Sequence, residues 1–189
     1  MAGHIFYGFA VSVDGYIASA QGDIGLPVPE AALHRHFNEV QERTALGLYG
    51  RNMYEVMKYW DAPQAESPEH EQEYARAWQR TPKVVFSTTL ESVGPNARLV
   101  KDKADVERTV RQLKAETDGE IEVSGSGLGA SLIRLGLVDE FRMYMMPVVL
   151  GGGKPYFEAG LQLDLEPLGV ESLPQHCTLL RFRPKKPRA

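Results

Sequence analysis

The residues best suited to chemistry lie between Glu120 and Leu137, where a short apolar strand leads through glycines into a helix. Ile121 and Val123 predict the strand, and the leucines after the turn predict an amphipathic helix. The N–H groups at the start of such a helix are unpaired and carry partial positive charge, which favours a bound phosphate. A tight turn without a ligand would give the same pattern, so this segment alone leaves both interpretations open. The glycines of the turn are Gly125, Gly127 and Gly129.

Composition and charge exclude several classes of protein. The 189 residues are enough for one domain with a hydrophobic core, and the net charge of −4 does not favour a nucleic-acid surface. Cys177 is the only cysteine, which excludes an internal disulfide and a multi-cysteine zinc site and fits a reducing compartment. We find neither an apolar run long enough to cross a membrane nor a secretory signal. We therefore expect a cytoplasmic protein without membrane or nucleic-acid partners and without a bound metal.

Strand and helix patterns alternate along most of the chain, and strands dominate its end. This order predicts an α/β fold with a mostly parallel sheet and an antiparallel edge. Periodicity predicts helices at 29–44, 69–80 and 105–117, the second of them as a solvated surface helix. The predicted strands span 4–13, 45–49, 83–88, a short one at 99–100, 121–123 and 139–149, followed by a hairpin at 170–172 and 178–182.

Polar turns follow the predicted strands. In sheets of this kind, ligands bind beyond the carboxyl ends of the strands, so we expect these turns to meet at one edge. Glu122 places a charge within a predicted strand, where we expect an exposed position at the rim. The turn residues are Asp14, Gly50, Arg51, Ser87, Thr88 and those from Gly125 to Gly129.

Several common sites do not fit. Residues 125–130 match G-x-G-x-x-A, but an acidic residue about 20 positions later is missing. A nucleophile elbow is absent around Ser124. His34 and His36 lie on different faces of their predicted helix, so they do not form a pair of metal ligands.

The order of five motifs resembles the dihydrofolate reductase superfamily, and above all its branch related to the reductase domain of the bifunctional riboflavin-biosynthesis deaminase/reductase. The resemblance covers nearly the whole chain, so we expect one reductase domain at 1–183 and a basic tail at 184–189. It implies a dihydrofolate reductase-like three-layer fold with a mostly parallel sheet of about eight strands, an antiparallel C-terminal hairpin, NADPH as cofactor and a homodimer. The motifs are Val-Ser-Val-Asp-Gly-Tyr-Ile-Ala, Gly-Arg-Asn-Met-Tyr-Glu, Val-Val-Phe-Ser-Thr-Thr-Leu, Val-Ser-Gly-Ser-Gly and Pro-Val-Val-Leu-Gly-Gly-Gly.

The same resemblance implies roles for individual residues at the cofactor. Ser87 and Thr88 would lie near the adenosine ribose and its 2′-phosphate, and Arg51 would supply a fixed cation. Residues at two helix starts would bind the phosphates: Gly50, Arg51, Asn52 and Met53 at the first, and Gly125, Ser126, Gly127, Leu128 and Gly129 at the second. Dihydrofolate reductases usually have threonine where Met53 stands, so backbone N–H groups would have to replace its hydroxyl.

For catalysis, the resemblance directs attention to the nicotinamide end. Asp14 is the first candidate for a proton donor and Glu30 the second, although bound water could serve and the pair Asp14-Gly15 is also ordinary turn chemistry. The candidate substrate pocket contains Tyr16, Tyr49, Trp60, Gly152 and Tyr156.

Three hypotheses for the function stay open at this point. The first hypothesis is an NADPH-dependent reductase that transfers a hydride to a C=N or C=O carbon of a small, pterin- or pyrimidine-like molecule. A protein of the same fold that binds or senses NADPH without turnover is the alternative, and a purely structural α/β domain is the third. The sequence lacks the zinc-deaminase signature, so we expect no deaminase domain in these residues.

Overall fold

Strands and helices alternate in the computed structural model, which describes residues 2–62 and 65–185. The helices are α1 (Ala31–Arg43), α2 (Arg51–Met57), α3 (Glu69–Arg80), α4 (Val106–Glu116) and α5 (Ser126–Arg134). The first five strands are β1 (His4–Ser12), β2 (Tyr16–Ala18), β3 (Thr44–Gly50), β4 (Lys83–Phe86) and β5 (Ala97–Val100). The others are β6 (Glu120–Ser124), β7 (Glu140–Met146), β8 (Lys154–Pro155), β9 (Leu165–Ser172) and β10 (Thr178–Pro184).

The main sheet has eight strands in the order β5-β4-β3-β6-β1-β7-β10-β9. The first six strands in this order, which are β5, β4, β3, β6, β1 and β7, are parallel to one another. Strand β10 is antiparallel to both of its neighbours, β7 and β9. The predicted parallel sheet with an antiparallel C-terminal hairpin is thus confirmed. A second sheet, β2 with β8, was not predicted, since Tyr16–Ala18 and Lys154–Pro155 are too short to show a strand pattern.

Two helical layers cover the sheet because side chains alternate between its faces. Ile5 and Tyr7 of β1 face α4 and α5, where Val110 and Leu132 complete the largest apolar cluster. On the other face, Leu33 of α1 packs near β7 and β10, and Trp78 of α3 packs against β3 and β4. The result is the three-layer arrangement that the resemblance implies.

The structure corrects one predicted helix and the end of one strand. The solvated surface role expected for α3 is wrong, because α3 buries Ala75, Ala77 and Trp78. Strand β7 ends at Met146, before the predicted end, since the next residue is Pro147 and proline has no N–H for the sheet. Of the predicted basic tail, residues 186–189 lie outside the described residues.

Candidate functional site

The carboxyl ends of the parallel strands lie along one edge of the sheet, as expected. From one side to the other, this edge carries the turn after β5, the turn after β4, the start of α2 after β3, the start of α5 after β6 and the turn after β1. Five segments of the chain therefore form one continuous rim. We call it the polar edge, defined by residues 101–103, 87–89, 50–53, 125–129 and 14.

A basic cleft of about 330 Å³ lies at the β4–β5 end of the polar edge. Arg51 Nη1 donates to Thr89 Oγ1 at 3.3 Å, and the N–H of Thr89 donates to Ser87 Oγ at 3.2 Å. Cations and hydroxyl groups in one small space suit a phosphate monoester. The cleft is lined by Arg51, Phe86, Ser87, Thr88, Thr89, Val100, Lys101, Asp102, Lys103 and Val106.

Lys101 and Lys103 of the basic cleft were missed by the sequence analysis. Both follow β5, a strand of four residues with a weak pattern. The signal that could have identified them is their position after a strand that precedes a helix. Their contribution to the cleft became visible only once β5 was seen to pair with β4.

The glycine turn brings the ends of β3 and β6 together. Gly125 has φ of 120°, and a Cβ there would stand 3.3 Å from the backbone N of Gly50 and 3.7 Å from Cβ of Met53. Gly129 lies on the ring of Tyr7, where a Cβ would stand 2.7 Å from Cδ2. Glycine at these two positions therefore allows α5 to begin close to both strands.

The first turn of α5 offers polar groups without protein partners. The N–H of Gly129 donates to the carbonyl of Gly125 at 2.8 Å, and this is the first hydrogen bond within α5. The N–H groups of the residues just before Gly129 therefore have no partner within the helix. Within residues 2–62 and 65–185, the hydroxyl oxygen of Ser126 is buried and has no hydrogen-bond partner. Beside the turn is a second cleft of about 240 Å³, lined by Ser126, Gly127, Ala130, Lys154, Pro155, Tyr156 and Glu158.

Asp14 fastens the turn after β1 to the glycine loop after β7. Its two carboxylate oxygens accept the N–H groups of Leu150 at 3.0 Å and Gly151 at 2.7 Å. The hydroxyl of Ser12 and these N–H groups lower the pKa of Asp14. The carboxyl is therefore ionised at neutral pH and holds the loop in place, while its catalytic role stays a prediction.

The other residues predicted near the substrate lie in different settings. Glu30 precedes α1, is exposed, and its N–H donates to Gln175 Oε1 at 2.8 Å. Tyr16 pairs with Pro155 in the small sheet. Gly152 has open space around it, with no atom within 4 Å of a Cβ position.

The predicted pocket aromatics are mainly packing residues. Tyr49 is 1% exposed, and its ring centroid lies 5.2 Å from that of Trp78. Trp60 packs on Tyr74 with centroids 4.9 Å apart. Tyr156 is buried and its hydroxyl donates to the carbonyl of Tyr7 at 2.7 Å, yet it also lines the second cleft. Core packing accounts for Tyr49 and Trp60 without a substrate.

Strand β1 continues beyond its pairing with β6. The register with β6 ends at Tyr7 and Val123, whereas the register with β7 runs on to Ser12 and Met146. From Gly8 to Ser12, the edge of β1 that faces β6 has no strand partner among the described residues. Peptide groups along this edge are available to a flat polar ligand.

Glu122 does not lie at an exposed rim, so that expectation is wrong. It belongs to β6, where it pairs with Phe6 of β1 and Gly47 of β3. Burial raises the pKa of Glu122 to about 7, against hydrogen bonds from Ser124 and Tyr49 that lower it. Glu122 is therefore half-buried within the sheet and does not stand at its rim.

Residues 2–62 and 65–185 contain neither a membrane-spanning helix nor a cluster of metal-binding side chains. Among these residues, no helix combines the length and apolar character that a span requires. Three or more His, Cys, Asp or Glu side chains do not gather anywhere in the same ranges in a way that could hold a metal ion.

Comparison with known proteins matches the sequence to one family over most of its length. The RibD C-terminal domain family matches residues 3–179. An uncharacterized protein, YyaP of Bacillus subtilis (strain 168), is 31% identical over 156 residues, which is 81% of this chain and 79% of that protein. YyaP itself indicates no activity.

Two solved structures share the fold. One is a diaminohydroxyphosphoribosylaminopyrimidine deaminase/5-amino-6-(5-phosphoribosylamino)uracil reductase from Thermotoga maritima, with TM-score 0.67, 17% identity, and coverage of 97% of this chain and 57% of that chain. The other is a dihydrofolate reductase from Enterococcus faecalis complexed with NADP(H), with TM-score 0.61, 13% identity, and coverage of 98% and 99%. At these identities the likeness shows a dihydrofolate reductase-like fold.

Proposed function

This chain belongs to the family of RibD C-terminal domains, and we propose that it is an NADPH-dependent reductase of a small pterin- or pyrimidine-like molecule. The observation that carries the proposal is the order of groups along the polar edge. A basic cleft, an unpaired helix start and an open strand edge follow one another there. A dinucleotide presents a phosphorylated ribose, a diphosphate and an aromatic amide in the same order.

The residues present fit each part of this cofactor. Arg51 with Lys101 and Lys103 would bind the 2′-phosphate, assisted by the hydroxyls of Ser87 and Thr88. The free N–H groups between Gly125 and Gly129 and the unpartnered hydroxyl of Ser126 would bind the diphosphate. Gly50, Asn52 and Met53 lie beside this turn and complete the proposed cofactor-binding set.

The open edge of β1 is the proposed place for the nicotinamide. Its peptide groups can bind both the N–H and the C=O of a carboxamide, and Asp14 holds the neighbouring glycine loop. When bound, NADPH supplies the hydride for a C=N or C=O carbon. Tyr16, Gly152 and Tyr156 are proposed to border the substrate.

The reaction also consumes a proton. Because Asp14 is ionised and bonded to two N–H groups, we assign it the positioning of the loop. Glu30 or a water molecule near it is then the proposed donor.

Binding and turnover can be tested separately. We expect NADPH to quench or shift protein fluorescence with a dissociation constant about tenfold or more below that of NADH, because charge-assisted bonds to the 2′-phosphate are made only by the former. Arg51→Ala should remove most of this preference, while Arg76→Ala, on the exposed side of α3, should leave it unchanged. Oxidation of NADPH is then followed with dihydrofolate, pterin and pyrimidine substrates.

Each outcome of this test separates the hypotheses. Oxidation with one substrate class identifies the reductase. Tight binding of NADPH without its oxidation in the presence of any substrate favours a protein that senses NADPH. The specific argument for this alternative is that the ionised carboxyl of Asp14 has no proton to donate. If neither NADPH nor NADH binds, the proposed cofactor site is wrong, and a purely structural domain is favoured.

We further propose that the protein is a homodimer joined through β9. This strand forms one end of the sheet, and Leu168 and Val170 on it are 41% and 71% exposed. An exposed edge strand of eight residues can pair with a second copy.

A further inference from the structure

Glu122 is an acidic side chain at the centre of the sheet that the proposed reaction does not use. Strand β6 lies between β3 and β1, and Glu122 pairs with Gly47 on one side and Phe6 on the other. Ile121 and Val123 face the core under α4 and α5, so Glu122 faces the layer of α1 and α3. A carboxyl group in such a position requires partners that satisfy it.

Those partners are two hydroxyl groups. The hydroxyls of Ser124 and Tyr49 lie close enough to the carboxyl of Glu122 to lower its pKa, and they also lie close to each other. The ring of Tyr49 lies over Gly47, where a Cβ would stand 3.2 Å from the tyrosine hydroxyl oxygen. The missing side chain at Gly47 therefore makes the room in which the trio of Glu122, Ser124 and Tyr49 assembles.

The trio lies directly beneath the glycine turn. Ser124 is the last residue of β6 and precedes Gly125, while Tyr49 precedes Gly50 at the end of β3. Gly125 and Gly50 are in close contact with each other. Along an extended strand, three residues span about 10 Å, so the backbone of Glu122 lies about that far from Gly125.

Charges around Glu122 come from several elements. Arg142 of β7 favours the ionised form and Glu120 of β6 opposes it. Tyr74 of α3 and Tyr144 of β7 also lie within its electrostatic reach. Burial outweighs the favourable contributions and raises the pKa of Glu122 to about 7, so the group changes its charge near neutral pH.

We propose that Glu122 is a positioning residue which supports the Gly125–Gly129 turn as a neutral acid, and that its ionisation weakens binding of a nucleotide diphosphate at that turn. This inference rests on the proposed function, because it needs a nucleotide at the turn. A diphosphate above the trio repels the carboxylate and favours the carboxylic acid. By linkage, binding takes up a proton, and the affinity falls as the pH rises through the pKa of Glu122.

Glu122→Gln tests the inference, because glutamine resembles the neutral acid and cannot ionise. We measure dissociation constants for NADPH between pH 6 and pH 8.5 with wild type, Glu122→Gln and Glu39→Gln, which removes a charge from the exposed side of α1. Wild type and Glu122→Gln should bind equally at pH 6, and wild type should bind about fivefold more weakly at pH 8.5. Comparison at each pH cancels the titration of the nucleotide's own phosphate.

Calorimetry provides a second measurement that does not depend on activity. In buffers of different ionisation enthalpy at pH 7.5, wild type and Glu39→Gln should take up about 0.4 of a proton more per nucleotide than Glu122→Gln. If Glu122→Gln fails to fold, ¹³C NMR of the wild-type carboxyl groups replaces it, and the titration midpoint of Glu122 should rise when NADPH binds.

The result that overturns the inference is a ratio of dissociation constants that is the same at every pH, as a merely structural role of Glu122 would give. An equal proton uptake by wild type and Glu122→Gln, or a midpoint unmoved by NADPH, overturns it as well. Each of these requires that NADPH binds. Failure of all variants and wild type to bind would instead overturn the proposed function and this inference with it.

Discussion

A carboxyl group enclosed by a sheet must be either neutral or paired, and two acids of this protein meet that demand in opposite ways. Glu140 accepts from His4 at 2.9 Å, Arg142 at 2.9 Å and Arg181 at 2.7 Å. Burial alone would raise the pKa of Glu140, but these bonds lower it far below its ordinary value. Burial raises the pKa of Glu122 to about 7, because the neighbouring hydroxyl groups of Ser124 and Tyr49 favour the ionised form too weakly to offset it.

At the scale of this residue, Glu122→Gln should change the free energy of unfolding with pH. The pKa of Glu122 is raised from 4.5 to about 7 by folding, so the wild type has its full stability below pH 4.5 and loses part of it as the pH rises through 7. Between pH 4.5 and pH 8, the variant should gain about 3 kcal/mol relative to wild type. Urea unfolding at both pH values measures this gain.

The exposed Glu39→Gln variant is the control and should show no such gain. A difference between Glu122→Gln and wild type that stays constant across this pH range would mean that folding does not raise the pKa of Glu122.

Among the elements, α5 depends most on the absence of side chains. Gly129 rests on the ring of Tyr7, and this ring is fixed because its hydroxyl donates to the carbonyl of Tyr156 at 3.2 Å. Gly127, two residues earlier, has no atom within 4 Å of a Cβ position. The helix thus contains one glycine required by packing and one that faces open space beside the second cleft.

Alanine at these two positions should separate stability from binding. Gly129→Ala forces α5 away from Tyr7 and should lower the free energy of unfolding by about 1–3 kcal/mol. Gly127→Ala should leave it unchanged or raise it by up to about 1 kcal/mol, since alanine is the better helix former. Its methyl group should nevertheless weaken NADPH binding, because the turn must approach the diphosphate closely.

Thermal unfolding and NADPH titration of both variants provide the test. Equal loss of stability in the two variants would contradict the assigned contact with Tyr7, and unchanged binding in Gly127→Ala would contradict the diphosphate position.

For the molecule as a whole, an ionic network ties neighbouring strands on one face of the sheet. Arg142 pairs with Glu120 of β6 and Glu140 of its own strand, while Arg181 of β10 and His4 of β1 also reach Glu140. The Arg142 guanidinium lies 3.9 Å from the ring centroid of Phe6. Such a network holds the antiparallel hairpin of β9 and β10 against the parallel part of the sheet.

At this scale we expect assembly to depend on β9. Val170→Lys should convert the proposed dimer to a monomer, because a lysine on an edge strand opposes pairing with another sheet. Val56→Lys, at an exposed position of α2, should leave the mass unchanged. Size-exclusion chromatography with light scattering measures both, and a wild-type mass of one chain would contradict the dimer itself.

Local patterns explain why the element order could be predicted. Apolar runs identified β1, β3, β4 and β7, and the 3.6-residue period identified α1 and α4 within two residues of their ends. Because parallel strands place their carboxyl ends on one edge, the meeting of Arg51, Ser87 and Gly127 along that edge also followed from the sequence. The membership in the RibD C-terminal domain family agrees with the order of the quoted motifs.

Other features depended on contacts between distant segments. Asp14 binds Leu150 and Gly151, which lie more than 130 residues away. The polar period of α3 gave no sign that Trp78 would be enclosed, because β3 supplies the aromatic side chain that covers it.

The sequence by itself determined most of the strands and helices, that the sheet is mainly parallel, and which turns other than 101–103 form the polar edge, because backbone preferences and side-chain periodicity act over a few residues. Only the tertiary structure decided that Lys101 and Lys103 join Arg51, that Asp14 is a loop anchor and that Glu122 lies beside Gly47, whose missing side chain leaves room for the ring of Tyr49. Charge state and cleft shape depend on what surrounds a group in space, and neighbouring strands bring those surroundings from distant parts of the chain.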